Sequence, residues 1–595
     1  MSIRSQVFIF SAIVLFSGIF GLTKISYAAN PTLLYSDLEW GPKTGWNNTS
    51  VKGAAVSIWG RNFGTAVHSS VVNIGGVSLA ADDPTFIAEW GATGPARGDS
   101  RITFFVPPTA IDGNTTITVT VGGATSNSLP FQVVVANIYY VDGTSGNNSN
   151  NGRTTATAYR SLVRLNPCSG ADSMHTAGTC NPEGDGQYIG YVRGGNYGAS
   201  HLDTNQSSYT GYITLPIPFG SATQRKAIIG YPGETPVFDG NQAPVIVEMQ
   251  DSPWRYGANY LTVAKLTTTG AHQLWQVFGE NNRVVANTLN RVTEPWSGAI
   301  HVMNSKYTKI LGNYFNNNGN TNYEHNIYIK TEPWAMGAAY NQSVLNTEVG
   351  YNEFYNPVID RQGGVIFLSR ASDQSASYIH DYTYIYGNYF HDGNVDWFYV
   401  GDSVTLGNNL YYYNNIFGPN TQSASGLTTY FGSYNQYFYN NTFYQDGGVG
   451  AGNLDVEYTA RPTSRNNIYS SRTGQSPFDL SNIGSYGGSL NSQYDLFHNN
   501  TIPTSGGTLT ISNARSGNPL FINAAAGNYA IQSGSAAIGQ GTNLYSAMSV
   551  LPMGAYDYEG KPRPSSGTWD IGAIQYAAAA TDTTPPANPT GLSVI

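Results

Sequence analysis

A short phrase recurs between about residues 285 and 500, in which an asparagine is followed two residues later by an aromatic or aliphatic residue. Its copies are centred on Asn287, Asn313, Asn352, Asn388, Asn415, Asn441, Asn467 and, as a fading last copy, Asp495. The steps between these centres are 26, 39, 36, 27, 26, 26 and 28 residues. A recurring period of roughly 20–50 residues is typical of a solenoid. The longer steps fit ordinary coils that carry roughly ten inserted residues.

Residues two apart in a strand point to the same face, so each asparagine and the apolar residue after it line one side of a coil. Stacked coils place equivalent residues above one another, and asparagine amides can then form hydrogen bonds with one another along the stack. Stacked Phe, Ile and Leu fill the interior. Separate hairpins with Asn-rich turns are the alternative. The solenoid is favoured because the phrase recurs without the Asn-Gly pair of a type I′ turn.

A second column of alternating residues lies between successive asparagine phrases. Its period of two directs Ile327, Ile329, Ile366 and Leu368 inward. Aligned by repeat position, the opposite face then carries His301, Tyr328, Phe367, Tyr399, Tyr430 and Asp455. We therefore expect these side chains, which come from distant parts of the chain, to stand side by side.

The segment 30–136 has a different pattern, with several short β-type runs separated by Gly and Asn turns, which predicts a β-sandwich. The stretches VSIWGRNFG (56–64), VNIGGV (72–77), ITFFVP (102–107) and ITVTVGGATSNSLPFQV (117–133) resemble an IPT/TIG immunoglobulin-like domain. In exported bacterial proteins, this resemblance implies a spacer or a binding module.

The stretches IYYVDG (138–143), YVRGGNYG (191–198) and AIIGYPGETPVFDG (227–240) resemble the opening coils of a right-handed parallel β-helix of the pectate-lyase-like superfamily. GNPLFINAAAGNYAIQSGSAAIGQG (517–541) and DIGAIQY (570–576) are similar to closing coils of the same superfamily. The fold class implied is all-β, with the helix over 137–576 and the sandwich before it. The superfamily hosts lyases, hydrolases, epimerases and non-catalytic proteins, so this resemblance implies a fold and not a reaction.

Composition narrows the function classes. Charged residues make up only 11% of the chain and the formal net charge is −9, without a basic cluster, so nucleic acid is not an expected partner. Residues 1–29 have the charged start, short apolar run and small-residue end of a signal peptide, which predicts an exported or cell-surface protein without membrane insertion after cleavage. We expect a monomer.

Two further features concern the loops and the C-terminus. Cys168 and Cys180 are the two cysteines, and oxidising conditions after export favour a disulfide between them. Residues 577–595 read as a linker, and their last residues resemble the first strand of a fibronectin type III domain. A simple disordered tail is an equal alternative.

The outward column of aromatic residues flanked by charges suits a sugar, because ring faces pack against pyranose C–H groups and polar groups bond hydroxyls. The pattern leaves open whether these rings are exposed or covered by loops. We predict substrate-binding roles for His301, Tyr328, Phe367, Tyr399, Tyr430 and Asp455.

Lys330 and Arg370 fall on consecutive coils and form the first catalytic hypothesis. An acidic polysaccharide can be cleaved by β-elimination when a base removes the C5 proton and the uronate carboxylate is neutralised. The run Glu324-x-x-Ile327-x-x-Lys330 is loosely similar to the lysine-bearing strand of β-helical alginate and chondroitin lyases. Arginine or Ca²⁺ could bind the carboxylate, although nothing fixes Glu332 and Glu353 as metal ligands. Solvated strand-end charges are the competing interpretation.

An acidic group forms the second hypothesis, and its members are Asp396, Asp402, Asp455 and Glu457, with His391 and Asp392 nearby. Paired carboxylates about 5–9.5 Å apart would suit glycoside hydrolysis. The Asn-Thr-Asp, Asp-Asp and Gly-His-Gly phrases of polygalacturonase-like enzymes are missing from the helix segment. Structural turn carboxylates are the plainer explanation for most of the group.

The sequence therefore predicts an exported β-helix protein that binds an extracellular, acidic polysaccharide and cleaves it as a lyase, with Lys330, Arg370 and Asp402 as candidate catalytic residues. A non-catalytic, glycan-binding adhesion protein is the first alternative, and a glycoside hydrolase is the second.

Overall fold

The computed structural model of the protein describes residues 30–45, 52–165, 186–198, 213–214, 220–239, 245–249, 259–270, 275–291, 298–319, 324–331, 343–357, 365–370, 380–393, 398–400, 409–419, 428–429, 435–444, 454–456, 459–471, 476–480, 483, 487–500 and 502–577. The predicted signal peptide, both cysteines and the C-terminal tail lie outside these residues. None of the helices within them is long and apolar enough to cross a membrane.

The N-terminal segment forms a sandwich of two sheets. The first sheet contains, in spatial order, Thr32–Ser36, Ala55–Arg61, Ser100–Phe105 and Ile87–Thr93. The second contains Trp40–Gly41, Leu129–Val133, Gly113–Val121, Val71–Ile74 and Val77–Ala80, with Ala124–Thr125 beside Gly113–Val121. Alternate apolar residues of both sheets fill the space between them.

A parallel β-helix with three sheets follows the sandwich. Each coil contributes one strand to sheet B, then one to sheet A and one to sheet C. The strands of sheet A are Asn137–Val141, Tyr188–Val192, Lys226–Gly230, Leu261–Ala264, Arg283–Val285, Lys309–Leu311, Val344–Gly350, His380–Tyr386, Leu410–Tyr413, Gln436–Tyr439, Pro462–Arg465, Leu490–Gln493 and Leu509–Ser512.

Sheet C runs beside sheet A from residue 195 to 516, and sheet B runs beside it from residue 213 to 479. The strands of sheet B are Ile213–Thr214, Val245–Met249, Trp275–Glu280, Gly298–Lys306, His325–Thr331, Ile366–Arg370, Phe398–Val400, Thr428–Thr429, Leu454–Val456 and Phe478–Asp479. The strands of sheet C are Gly195–Tyr197, Pro236–Asp239, Thr267–Thr269, Thr288–Asn290, Tyr314–Asn316, Glu353–Tyr355, Tyr389–His391, Ile416–Phe417, Thr442–Tyr444, Ile468–Ser470, Leu496–His498 and Arg515–Ser516. The predicted fold class, an all-β chain with a parallel β-helix after a β-sandwich, is confirmed.

The repeated asparagine forms the corner between sheets A and C. Each one is fully buried and donates its side-chain amide to the side-chain oxygen of the next, over 2.9–3.1 Å, and the last acceptor is the carboxyl group of Asp495. The same amides also donate to backbone carbonyls such as those of Val284 and Ile310. The residue before each asparagine has a positive φ, which turns the chain through the corner. The predicted ladder is therefore confirmed.

The residue two positions after each asparagine points into the helix, as predicted. Aromatic rings stack there from Phe315 to Phe497, with centroids 4.6–5.7 Å apart and planes within 14° of parallel. Burial of these rings is a large apolar contribution to stability, since each covers about 150–250 Å².

The sandwich packs along the outer face of sheet A. Tyr191 exchanges hydrogen bonds with the backbone of Ala55, over 2.8 and 3.0 Å. Tyr35 stacks on Tyr351, with ring centroids 5.6 Å apart. Gly312, at a helix corner with a φ of +64°, lies under Tyr35, and a Cβ there would stand 2.0 Å from the tyrosine hydroxyl. The sandwich and the helix therefore share one apolar core along this face.

The segment after residue 516 differs from the closing coils that its resemblance implied. The last parallel pairings in the described chain are those of Leu509–Ser512 and Arg515–Ser516. The chain then forms an antiparallel hairpin of Phe521–Asn523 and Asn528–Ile531, around the 3₁₀ turn Ala524–Ala526. The short helix Tyr545–Met548 follows, and the segment runs back along the outside of earlier coils.

This segment is held to the corners of earlier coils by their positive-φ asparagines. Asn414 donates to the carbonyl of Tyr556 and Asn466 donates to that of Thr542, both over 2.8 Å. The buried side chains Met548 and Trp569 join the core beside sheet A. These polar and apolar contacts with the outside of the helix explain why the segment folds back instead of adding coils.

Candidate functional site

The outer face of sheet B carries the predicted column. Ile327 pairs with Ile300 and Ile366, and these three point into the helix. His301, Tyr328 and Phe367 are aligned with one another on three consecutive coils, as the repeat spacing predicted. The alternation of a pleated strand then places their side chains on the opposite, outer face.

His325 also joins this group. It is aligned with Gly298, in the same register as the pair of Ile300 and Ile327. Its ring stacks on Phe367 with centroids 4.6 Å apart. The amides of Asn326 and Ile327 both donate to the carbonyl of Val365, over 2.9 and 3.0 Å, so the strand begins irregularly beside His325. Sequence reasoning missed His325, because strict alternation from Ile327 assigns it to the interior.

The side chains form one compact cluster, which we call the histidine–tyrosine cluster: His301, His325, Tyr328, Lys330 and Phe367. The ring of Tyr328 is parallel to His301 with centroids 4.6 Å apart, and it is 5.1 Å from both His325 and Phe367. The Lys330 ammonium lies 5.5 Å from the centre of the Tyr328 ring. Two imidazoles and an ammonium therefore surround one phenol.

Ring stacking changes what this cluster offers to a ligand. His301 and Tyr328 cover each other's faces and are only 8% and 9% exposed, whereas Phe367 and Lys330 are partly exposed. The sequence left open whether the rings of this column are exposed or covered. Among the described residues, His301 and Tyr328 are buried and Phe367 is half-buried, so the column is largely covered.

The electrostatics of the cluster favour an anion. Burial, followed by the charge of Lys330 and the presence of His325, lowers the pKa of His301 to about 3. His301 is therefore neutral near pH 7, and it can accept or donate one proton at a ring nitrogen. His301 therefore adds no positive charge near pH 7. The positive charge that would attract a carboxylate to this face is that of the Lys330 ammonium.

Lys330 and Arg370 are not aligned with each other. Lys330 lies beside Met303 and Ser369, and Arg370 lies beside Thr331. The Arg370 backbone ends its strand, and its side chain is outside the described residues. The catalytic roles of both residues remain predictions.

The column continues toward later coils with a shift of two residues. Tyr399 is aligned with Thr428 and not with Tyr430, and Thr428 is aligned with Asp455, which is 8% exposed. The predicted register of Tyr430 was therefore wrong. A shift of two residues preserves which face each side chain points to, so alternation could not distinguish the two registers. Asp402, Tyr430, and the side chain of Tyr399 are outside the described residues.

The acidic group predicted for hydrolysis is divided between two sheets. Asp455 lies in sheet B, whereas His391 ends a strand of sheet C and Asp392 follows it. Asp396 and Glu457 are outside the described residues. The structure instead joins His391 to Asp392 and to Glu353, with nitrogen–oxygen distances of 2.7 and 3.1 Å.

The residues considered for Ca²⁺ do not meet near Lys330 in the described chain. Glu353 is in sheet C, where it bonds His391 and the backbone amide of Arg97. Glu332 is outside the described residues. Within the part that the structure describes, no group of three or more His, Cys, Asp or Glu side chains is placed to hold a metal ion.

Comparisons with known proteins gave structural similarity of low extent. No family model matches the chain, and no curated protein matches it. ORF18 of Geobacillus virus E2 is 14% identical with a TM-score of 0.31, over 51% of this chain and 54% of that one, so the chain spans about half the length of that protein.

Two further solved structures are similar to a comparable extent. The Yersinia enterocolitica family 28 exopolygalacturonase is 10% identical with a TM-score of 0.37, over 82% of this chain and 99% of that one. The A-module of an Azotobacter vinelandii mannuronan C-5 epimerase is 14% identical with a TM-score of 0.30, over 56% of this chain and 92% of that one. We transfer no residue role from these proteins.

Proposed function

We propose that the protein is exported, binds an acidic polysaccharide along the outer face of sheet B, and cleaves it by β-elimination. The observation that carries this proposal is the histidine–tyrosine cluster, in which Tyr328 stands among His301, His325 and Lys330. The N-terminal sandwich is, in this proposal, an IPT/TIG-like domain, and the protein acts as a monomer at the cell surface or in the medium.

The cluster has the groups that β-elimination requires. The Lys330 ammonium binds the uronate carboxylate and stabilises the enolate that develops when C5 loses its proton. The His325 imidazole or the Tyr328 phenolate accepts that proton, and the C5–H electrons form the C4–C5 double bond as the C4–O bond breaks. The departing oxygen takes a proton from the Tyr328 hydroxyl or from water.

The proposal also gives roles to the other predicted site residues around this centre. His301, being neutral, positions the Tyr328 ring through stacking. Arg370 would add a second positive charge and Asp402 a polar contact, with Ca²⁺ as an additional carboxylate ligand. Phe367, Tyr399, Tyr430 and Asp455 would line the path of the polymer along the helix axis.

The test is incubation of the protein with a panel of uronate polymers, followed by the ultraviolet absorbance of the conjugated double bond. We expect product with at least one polymer, and a loss of roughly 10²–10⁴-fold in rate in Tyr328→Phe and Lys330→Met. Tyr437→Phe in sheet A and Lys306→Met at the end of a sheet B strand are matched controls, and should act as wild type. The proposal fails if no polymer gives an unsaturated product, or if Lys330→Met cleaves normally.

A non-catalytic, glycan-binding adhesion protein is the competing function. The low exposure of His301 and Tyr328 favours it, because a buried phenol is harder for a substrate to reach. Binding on a glycan array without turnover would support this function. New reducing ends without a double bond would instead indicate the hydrolase.

A further inference from the structure

Sheet C carries a second group of polar and aromatic side chains, on a different face of the helix from the histidine–tyrosine cluster. Three consecutive strands supply it: Tyr314–Asn316, Glu353–Tyr355 and Tyr389–His391. The middle residue of each strand is an inward phenylalanine, so the two flanking residues point outward. Tyr314 is thereby aligned with Glu353, and Tyr355 with His391.

The charged groups of this surface are held in fixed positions. The two ring nitrogens of His391 lie 2.7 Å from Asp392 and 3.1 Å from Glu353. Each ring nitrogen of this imidazole is therefore engaged by one carboxylate. The second oxygen of Glu353 accepts the backbone amide of Arg97 from the sandwich. Both carboxylates are therefore oriented before any ligand arrives.

These groups are also reachable from solvent. The side chains of His391, Glu353 and Asp392 are 12%, 17% and 39% exposed, and Tyr314 and Tyr355 are half-buried. The sheet A face, in contrast, is sealed by the sandwich and the C-terminal segment. The polar groups of sheet C thus remain available as hydrogen-bond acceptors.

The tyrosines at this surface differ from the rings of sheet B in one respect. Tyr314 and Tyr355 are parallel within 15°, with centroids 6.5 Å apart, and Tyr355 lies 5.1 Å from His391. The strand on the other side of Tyr314 presents Thr288, whose side chain is too small to cover an aromatic ring. Tyr314 therefore begins the aromatic column and has one ring face that no other ring covers within the described chain.

The C-terminal segment limits this surface on one side. Tyr529 of its hairpin contacts the edge of Tyr389, with centroids 6.3 Å apart, and it covers Ile416 on the following coil. Arg97 of the sandwich stands at the corner beside Tyr351 and Glu353. The uncovered part of sheet C lies between these two contacts, and we call it the sheet C surface.

We propose that the sheet C surface is a second carbohydrate site, specific for neutral sugars. An open tyrosine face packs against pyranose C–H groups, and fixed carboxylates accept hydrogen bonds from sugar hydroxyls. Two carboxylates beside one imidazole leave a net negative charge, which disfavours uronates. The amide pair Asn317 and Asn356, bonded over 2.5 Å at the adjoining corner, extends the polar rim. This site does not depend on the function proposed for sheet B.

Calorimetric titration of the full chain with short neutral oligosaccharides, and separately with uronate oligomers, tests this proposal. We expect neutral oligomers to bind, and Tyr314→Ala and Tyr355→Ala each to weaken the binding at least tenfold. Tyr437→Ala, another half-buried outer tyrosine, is the matched control, and Tyr328→Phe should bind neutral oligomers as wild type does.

A second measurement on the wild-type protein guards against variants that unfold. Hydrogen exchange should slow in 314–316 and 353–355 when the neutral oligomer is added, without a change at 325–331. The proposal is overturned if no neutral oligomer binds, if Tyr314→Ala binds it normally, or if protection appears only on sheet B. Failure of cleavage on sheet B would leave the titration with neutral oligomers and the hydrogen exchange unaffected, so the two proposals fail independently.

Discussion

The side-chain amide of Asn467 donates to Oδ1 of Asp495 over 3.1 Å, and at this contact the asparagine ladder ends in a carboxyl group. The backbone amide of Asn467 bonds the same oxygen over 2.7 Å, while the hydroxyls of Ser464 and Ser492 donate to Oδ2. Burial raises the pKa of Asp495 to about 6, although these hydrogen bonds oppose the shift. Both carboxyl oxygens of Asp495, the last residue of the ladder, thus accept hydrogen bonds, and this carboxyl group also titrates.

Asp495→Asn should remove one pH dependence of stability. Between the ordinary pKa of 3.8 and the folded pKa of about 6, the unfolded chain holds fewer protons than the folded one, so stability falls as pH rises. The shift corresponds to about 3 kcal/mol above pH 6. Denaturant unfolding of both proteins from pH 3 to 7 measures the difference. An identical pH profile in the variant would contradict the assignment.

A break in the middle of the ladder should cost more than the loss of an outer asparagine. Asn388→Ala removes a side chain that bonds Asn352, Asn415 and the carbonyl of Val349. Each buried group left unpaired costs about 1–3 kcal/mol, so we expect a loss of more than about 3 kcal/mol. Asn491→Ala, where a partly exposed asparagine accepts a hydrogen bond from Gln493 over 3.2 Å, is the control and should cost under about 1 kcal/mol. Equal losses in the two variants would argue against the ladder as a major stabilising element.

The coil repeat was predictable because its signal is local and repeated. Each copy places an asparagine and an apolar residue two positions apart, and eight copies fix the register without knowledge of anything distant. The covering of the outer face of sheet A by the sandwich was not predicted, although the sequence of its strands indicates it. Tyr188–Val192 and Lys226–Gly230 are buried at every position, and such continuous apolar runs indicate strands covered on both faces.

The candidate site was predictable only as far as strict alternation holds. His301, Tyr328 and Phe367 followed from it, whereas His325 lies at the start of its strand, where its ring stacks on Phe367 against the simple alternation. The pairing of Glu353 with His391 was also beyond prediction, because it joins the first residue of one strand to the last residue of the next coil's strand.

His301 should give a pH dependence of the opposite sign to that of Asp495. Its folded pKa of about 3 lies below its ordinary 6.5, so the unfolded chain binds more protons in this window and stability falls as pH decreases from 6.5 to 3. The full shift corresponds to roughly 5 kcal/mol. His301→Asn should flatten this part of the stability profile, which denaturant unfolding at each pH measures. His498→Asn, at a partly exposed outer histidine of sheet C, is the control. A wild-type slope in His301→Asn would refute the burial argument.

Arg97 should hold three parts of the molecule together. Its guanidinium is fully buried, 3.9 Å from the centre of the Tyr558 ring and 5.0 Å from that of Tyr351, and it donates to the Tyr558 carbonyl over 2.6 Å. Arg97→Ala would leave the Asp99 carboxylate, 3.9 Å away, with less compensation. We expect a loss of about 3–5 kcal/mol, and faster hydrogen exchange in 32–36 and 556–560 together.

The control for this variant is Arg101→Ala. Arg101 pairs with Glu89 over 2.8 Å at a partly exposed site of the sandwich, and its loss should cost about 1 kcal/mol or less. Faster exchange confined to the sandwich in Arg97→Ala would show that the C-terminal segment docks without it.

Removal of the sandwich should expose the apolar outer face of sheet A. A chain that begins at residue 137 would uncover Tyr191, Ile229, Val285 and Leu311, each at most 5% exposed in the whole protein. It would also leave Lys265 and Arg283 without Asp37 and Glu39, which they reach over 3.0 and 3.4 Å.

Exposed apolar patches of this size drive association. We therefore expect the shortened chain to bind a hydrophobic dye and to aggregate at concentrations where the full chain stays dispersed, as light scattering would record. A chain that ends at residue 577 is the matched truncation, since it keeps every described contact, and it should behave as the full chain does. A shortened chain that stays dispersed and unfolds at an unchanged temperature would instead identify the sandwich as a spacer, one of the two roles that its sequence resemblance implied.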